Sequence, residues 1–215
     1  AGAGNRQGIV GEGAHTITTG AGDSKITVEG GNNTISTGAG VSTIIASDGD
    51  NIIATGAGDS VITAGDGGNS IATGAGSSKI TAGNGQNIMA TGAGDNVVIA
   101  GDGGNLIATG AGKNQVTSGA GDDTISTAAG DDLIQAGGGS DIVSSFAGND
   151  VLIYVAADNM AVNTTDLYDG GAGSDTLKLV LTREEWMRPD IQADVANYLA
   201  FIAANTGVNG EDSTA

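Results

Sequence analysis

A nine-residue period runs without a gap from Ala1 to Val162. From Thr19 the chain reads TGAGDSKIT, VEGGNNTIS, TGAGVSTII, ASDGDNIIA, TGAGDSVIT and AGDGGNSIA, and it keeps this frame to SFAGNDVLI and, degraded, YVAADNMAV. A fixed short period is the mark of a repeat array, and it has to be read before any helix or strand. Positions one to six of each repeat are small and Gly-rich, position eight is nearly always Ile, Val, Leu or Met, and positions seven and nine vary. Glycine permits the positive φ of a tight turn, and the closing triplet is a short strand with one side chain pointing inward. Odd repeats tend to begin with Thr and even ones with Ala, so the unit is two strands and two turns. The predicted fold is an all-β, right-handed parallel β-solenoid with 18 residues per coil. Nine coils would span about 43 Å at about 4.8 Å each. The first residue falls on the first repeat position, which suggests a piece of a longer array.

Composition matters for what it excludes. Gly is 40 of 215 residues but Pro is 1, and no Gly-X-Y period exists, so collagen is ruled out. Aromatics at 3% and charged residues at 15% suit neither an ordinary globular core nor a charge-rich disordered tail. Cys is absent, which removes disulfides and thiolate metal sites. No apolar run is long enough for a membrane span, and the first residues lack the basic-then-apolar order of a cleaved signal peptide. The net charge of −18 argues against nucleic acid and points to a cation. Ten acids lie between Gly119 and Leu177 with no Lys or Arg among them.

The repeats resemble the glycine-rich nonapeptide of the RTX, or hemolysin-type, family, GGxGxD followed by x, a large apolar residue and x. GGAGSDTLK at Gly170–Lys178 matches best, with SGAGDDTIS, TAAGDDLIQ, AGGGSDIVS and SFAGNDVLI close behind. The resemblance implies a β-roll that stacks Ca²⁺ between successive turns along each edge, with the sixth-position Asp as side-chain ligand. That position holds Asp123, Asp132, Asp141, Asp150 and Asp175, the expected metal ligands. Asp123 should stack with Asp141 on one edge and Asp132 with Asp150 on the other, which Asp175 continues if the insertion at Asn163–Asp169 keeps parity. Carboxylates about 4.8 Å apart repel by roughly 3–4 kcal/mol at an effective dielectric of about 20, and a hard divalent cation reverses that sign.

Before residue 118 the same position is neutral. One edge carries Asn33, Asn51, Asn69, Asn87 and Asn105, and the other Ser24, Ser42, Ser60, Ser78, Asn96 and Asn114. Stacked Asn and Ser side chains can donate to one coil and accept from another, so a metal-free ladder is expected here, with weak calcium sites as its rival. Asp23, Asp59 and Asp95 alternate with uncharged or basic residues and avoid repulsion without metal. Asp48, Asp66 and Asp102 form a candidate auxiliary cation row.

Seventh- and ninth-position side chains should point outward. Ile52, Ile88 and Leu106 then lie on a flat apolar strip suited to weak self-association or to packing against a neighbouring domain. The threonine row from Thr19 to Thr127 lacks the second column of an ice-matching array, although some giant RTX adhesins resemble this chain and carry one. A structural threonine ladder is the reading taken. After Val180 the period stops. Thr182 with Glu185 forms a capping box, Pro189 suits a helix first turn, and Ile191, Val195, Tyr198, Leu199 and Ile202 recur at helical spacing up to Gly207. The domain reading is a repeat roll over 1–162, divided into an Asn/Ser part at 1–117 and an acidic part at 118–162. An insertion with the last repeat follows at 163–180, a helical cap at 181–207 and a flexible tail at 208–215. An uncleaved secretion signal is the alternative for the C-terminal part.

No enzyme is expected. His15 heads the asparagine row, the Ser and Asp residues are locked to the repeat instead of converging, and no Gly-rich turn leads into a helix with the Lys of a phosphate loop. The functional expectation is a calcium-binding structural segment of a secreted or cell-surface RTX adhesin that folds on meeting extracellular calcium. The alternatives are a stabilising module of an RTX enzyme or toxin and an ice-binding solenoid.

Overall fold

The structure, a computed structural model, describes residues 4–159 and 164–205. Consecutive strands alternate between two parallel sheets. The ten-stranded sheet runs from Arg6–Val10 to Thr176–Val180, and the nine-stranded sheet from Thr16–Thr18 to Leu167–Asp169. Each strand pairs with the strand one coil away at a step of 18 residues, as in Ile35 with Ile53 and Val98 with Val116. This is the expected all-β parallel solenoid.

The three-residue strands of the nine-stranded sheet read exposed, buried, exposed in the middle of the roll. Only the eighth-position side chain turns inward, so the core is a file of residues such as Ile53, Ile62, Ile71 and Ile80, each at most 1% exposed. In the other sheet the strand extends to the first position of the next repeat and adds Val28, Ala46, Ala64 and Ala82 to the file. Two layers this thin need very close turns. Gly76 shows the constraint: its φ is 137°, and a Cβ there would lie 2.6 Å from the Gly58 carbonyl of the preceding coil.

The frame ends earlier than the sequence period suggests. Residues Ala156–Asn159 form a 3-10 helix where the eighteenth repeat was expected to make its turn, giving about eight turns instead of nine. Stacking resumes with Leu167–Asp169 on Ile142–Ser144 and Thr176–Val180 on Val151–Val155, at a step of 25 residues. The local reason is Asn159. Its side chain accepts from Gly139 N–H at 3.1 Å and donates to the Gly137 carbonyl at 3.0 Å, so it clamps the 3-10 helix onto a turn.

Helix α1 (Arg183–Trp186) has both bonds of the predicted capping box: Glu185 N–H donates to Thr182 Oγ1 and Thr182 N–H to Glu185 Oε2. Helix α2 (Pro189–Asn205) starts on its proline. Leu177 and Leu179 of the last strand are about 40% exposed. The expected helix end at Gly207 and the tail at 208–215 lie outside the described residues.

Candidate metal centre

Two edges of the roll carry a side-chain ladder at the sixth repeat position. On the even edge, Asn33, Asn51, Asn69 and Asn87 each send the backbone N–H and Nδ2 to Oδ1 of the next coil's Asn, at 3.0–3.2 Å. Nδ2 also donates to carbonyls of its own turn. For Asn69 these are Gly65 and Gly67, at 3.0 and 3.1 Å. One amide nitrogen thus ties three oxygens together, and the buried corner is satisfied without an ion. Asn96 and Asn114 do the same on the odd edge.

Serine departs from that expectation. The Ser24, Ser42 and Ser60 hydroxyls pair with Thr19, Thr37 and Thr55 of their own repeats at 2.9–3.0 Å, not with the next coil. The backbone N–H of Ser24 instead donates to the Val41 carbonyl and that of Ser42 to the Asp59 carbonyl. This extra backbone bond starts the strand at the serine, which is why Ser24–Val28 and Ser42–Ala46 have five residues. From Ser78 onward this pairing is lost: Ser78 N–H donates to Asn96 Oδ1, and the Thr73, Thr91 and Thr109 hydroxyls and Ser78 Oγ are buried with no such partner. Thr37, Thr55, Thr73, Thr109 and Thr127 are buried, so the threonine row does not present an outer array.

At Asp123 the ladder changes chemistry while keeping its geometry. Asn105 N–H and Nδ2 donate to Asp123 Oδ1 at 2.6 and 2.9 Å, Asp123 N–H donates to Asp141 Oδ1 at 2.9 Å, and Asp141 N–H to Asp166 Oδ1 at 2.9 Å. The odd edge runs from Asn114 to Asp132, Asp150 and Asp175, with N–H to Oδ1 distances of 2.7, 2.8 and 3.0 Å. Asp175 therefore continues the second edge as parity required. Oδ1 is used in every case; Oδ2 is not. The Oδ2 atoms of Asp123, Asp132, Asp141 and Asp150 are buried and no amide donor reaches them. The Ser118 and Thr127 hydroxyls lie close enough to Asp123 and Asp132 to favour their charged forms but donate to the Ala136 and Ser145 carbonyls of the next coil, and Asp141 and Asp150 have no such neighbour. An oxygen now stands on the branch where asparagine carries its donor, beside turn carbonyls that have lost that donor. Such a set of oxygens is short of positive charge and suits a hard cation.

Electrostatics point the same way. Burial pushes the Asp123 and Asp132 carboxyls above the usual range, and it pushes Asp141 up to about 7, helped by the charges of Asp166, Asp123 and Asp122. Burial also raises Asp166. Among the described residues no three His, Cys, Asp or Glu side chains gather at one point, so a cation here would have at most a pair of carboxylates and must complete its shell with carbonyls and water.

A second ladder, which sequence reasoning missed, runs in the opposite direction on the outer side of the turns. Asp48 Oδ1 accepts from Asp66 N–H, Asp66 from Asn84, Asn84 from Asp102, and Asp102 from Ala120, at 2.7–2.9 Å. Asp23, Asp59 and Asp95 accept from Val41, Ser77 and Lys113 in the same way. The row considered for auxiliary cations thus holds backbone. Asp166 was also missed, although it lies nine residues before Asp175 and carries the same Asp-x-apolar-x pattern. His15 Nε2 donates to the Gly11 carbonyl at 3.0 Å and its backbone N–H to Asn33 Oδ1, a turn-closing role. The outward strip is present, with Ile52, Ile88 and Leu106 about half exposed and Ser70 between the first two.

The family model for the RTX calcium-binding nonapeptide repeat, itself four copies long, matches residues 9–44, 45–80, 63–98, 81–116, 99–134 and 117–152. No curated protein matches the chain.

Proposed function

The chain belongs to the RTX calcium-binding nonapeptide repeat family, whose repeats bind Ca²⁺, and from that premise we propose that it is a calcium-responsive structural module whose metal is held near its C-terminal end. Asp123, Asp132, Asp141, Asp150 and Asp175 would hold the ions between successive turns. The observation that carries this is the set of four buried Oδ2 atoms that no amide or basic donor reaches, in a stretch from Gly119 to Leu177 that has no Lys or Arg. Calcium would give these oxygens the electropositive partner that the Nδ2 N–H donors give the turn carbonyls in the asparagine coils. The protein's part is to set the carboxylates in register, through backbone N–H to Oδ1 bonds, as the coils stack.

Residues 1–117 then fold without metal, and the acidic coils order on them when calcium is present. A module of this kind suits a secreted or cell-surface protein such as an adhesin, exported as an acidic unfolded chain into millimolar calcium. No described helix is long and apolar enough to cross a membrane, and the flat outer face suits a spacer or packing surface more than a catalytic cleft. The test is calcium titration of chelated protein followed by amide exchange. Protection should appear with calcium in residues 118–178 and be present from the start in residues 33–114. Protection of all coils in chelator, unchanged by calcium, refutes the reading.

A further inference from the structure

We infer that the outer face of the nine-stranded sheet docks a second copy of this chain, with the two rolls parallel and related by a two-fold axis along their length. Eight of its strands, from Thr16–Thr18 to Ile142–Ser144, carry no charged residue, in a chain whose net charge is −18. Two columns of side chains point outward from them. The seventh-position column holds Ile52, Ile88, Leu106 and Ile142, each about half exposed, with Ser70 between the first two. The ninth-position column holds Ala54, Ala72, Ala90 and Ala108, also exposed. Strand pairing keeps the columns straight, Ile88 beside Leu106 and Ala90 beside Ala108, so a ridge of long aliphatics runs along the roll next to a groove of alanines.

Ridge and groove select the partner. Their rows repeat at the coil step of about 4.8 Å, and a surface seats on them row by row only if it repeats at the same step, as a second copy does. A two-fold axis along the roll sets the ridge of each copy over the groove of the other, Ile88 on Ala90 and Leu106 on Ala108, so these rows have one large and one small residue between the sheets. Only the Ser70 row sets small on small. An axis across the roll would set ridge on ridge and alanine on alanine, and the groove would stay unfilled. The outer face of the ten-stranded sheet is not suited to such pairing, because Lys25, Lys79 and Lys178 stand on it and two copies would bring like charges together. The charge-free face measures about 38 by 10 Å, so the pair covers about 800 Å², less than the roughly 1,200 Å² at which stable complexes begin. The dimer is therefore weak. Exposed acids rim the face on both sides, Asp48, Asp66 and Asp102 on one and Asp59 and Asp95 on the other, so added salt should strengthen it by screening their repulsion.

The experiment is sedimentation equilibrium of the full chain in saturating calcium, with spin labels to fix the geometry. Wild type should show a monomer–dimer equilibrium that tightens from low to high salt. Ala90→Leu adds exposed apolar surface but fills the groove, so it should weaken the dimer about tenfold, whereas non-specific hydrophobic sticking would grow stronger. The chain has no Cys, so Val41→Cys and Ser77→Cys each accept a single nitroxide at an exposed fifth position, two coils apart. Parallel rolls in register give the same distance between labels at both positions. Distances that differ between the two by several coil steps mean antiparallel rolls and overturn the inference. A wild-type chain that stays monomeric up to millimolar concentration overturns it as well, as does an Ala90→Leu chain that associates more tightly. If Ala90→Leu does not fold, the wild-type equilibrium and the two label distances decide.

Discussion

In chelator, the acidic coils should become less stable as pH rises, against the usual behaviour of paired carboxylates. Asp141 carries the calculation. Its carboxyl is pushed up to about 7 in the folded chain, mainly by burial, against 3.8 in the unfolded chain. Because the folded value is the higher one, the folded state keeps a proton that the unfolded chain has lost. The associated stability is complete below about pH 4 and disappears as pH rises through about 7. At 1.36 kcal/mol per unit, the full window is worth about 4 kcal/mol, of which about 2.5 kcal/mol falls between pH 5 and 8. Asp123, Asp132 and Asp166 are shifted in the same direction and add to the slope. The assay is amide exchange of peptides covering residues 133–155 in EDTA at both pH values, with intrinsic exchange corrected. Asp141→Asn removes this residue's share while leaving the remaining surface acids in place, so the difference between the two proteins isolates the buried carboxyl. In saturating calcium the slope should change sign, because the ion requires the ionised form. Chelated wild type that gains protection from pH 5 to 8, or an Asp141→Asn slope equal to wild type, would refute the argument.

Asn69→Ala should destabilise the metal-free block by about 3 kcal/mol, read by urea unfolding in EDTA, because it strands the Gly65 carbonyl, takes one of two donors from Gly67 and removes the acceptor of Asn51. Calcium should not restore it. Phe146 is the one described non-glycine residue with positive φ, at 67°, and it is 59% exposed, so Phe146→Gly should stabilise the calcium-saturated chain by about 1 kcal/mol, read as a higher midpoint of urea unfolding. Ile88→Lys should leave the fold unchanged and abolish any concentration-dependent self-association in sedimentation, since Ile52, Ile88 and Leu106 together offer too little apolar area for a tight dimer. A monomer at all concentrations would leave the strip as exposed scaffold.

What a sequence of this kind determines is whatever translation by one coil repeats. The nine-residue frame sets which side chain enters the core, because a three-residue strand has only one inward position, and Ile53 to Val143 follow it without exception. It also sets which carboxylates stack, because an exact 18-residue step returns each Asp to the same corner, as Asp132 and Asp150 do. The direction of hydrogen bonding is not written in the period. Asparagine and aspartate both fit the sixth position, yet only the folded turn shows that Oδ1 always accepts from the coil before. The chemical difference between the two residues therefore falls wholly on the second branch of the side chain, donor in Asn69 and orphaned oxygen in Asp141. The same holds for Asp48 and Asp66, whose exposed carboxylates looked free until the fold set a backbone N–H against each. Where translation fails, only the tertiary structure decides. The seven residues that lengthen the last coil step from 18 to 25 draw Asn159 aside and seat Asp166, because closing a strand onto an existing sheet edge outweighs keeping the count.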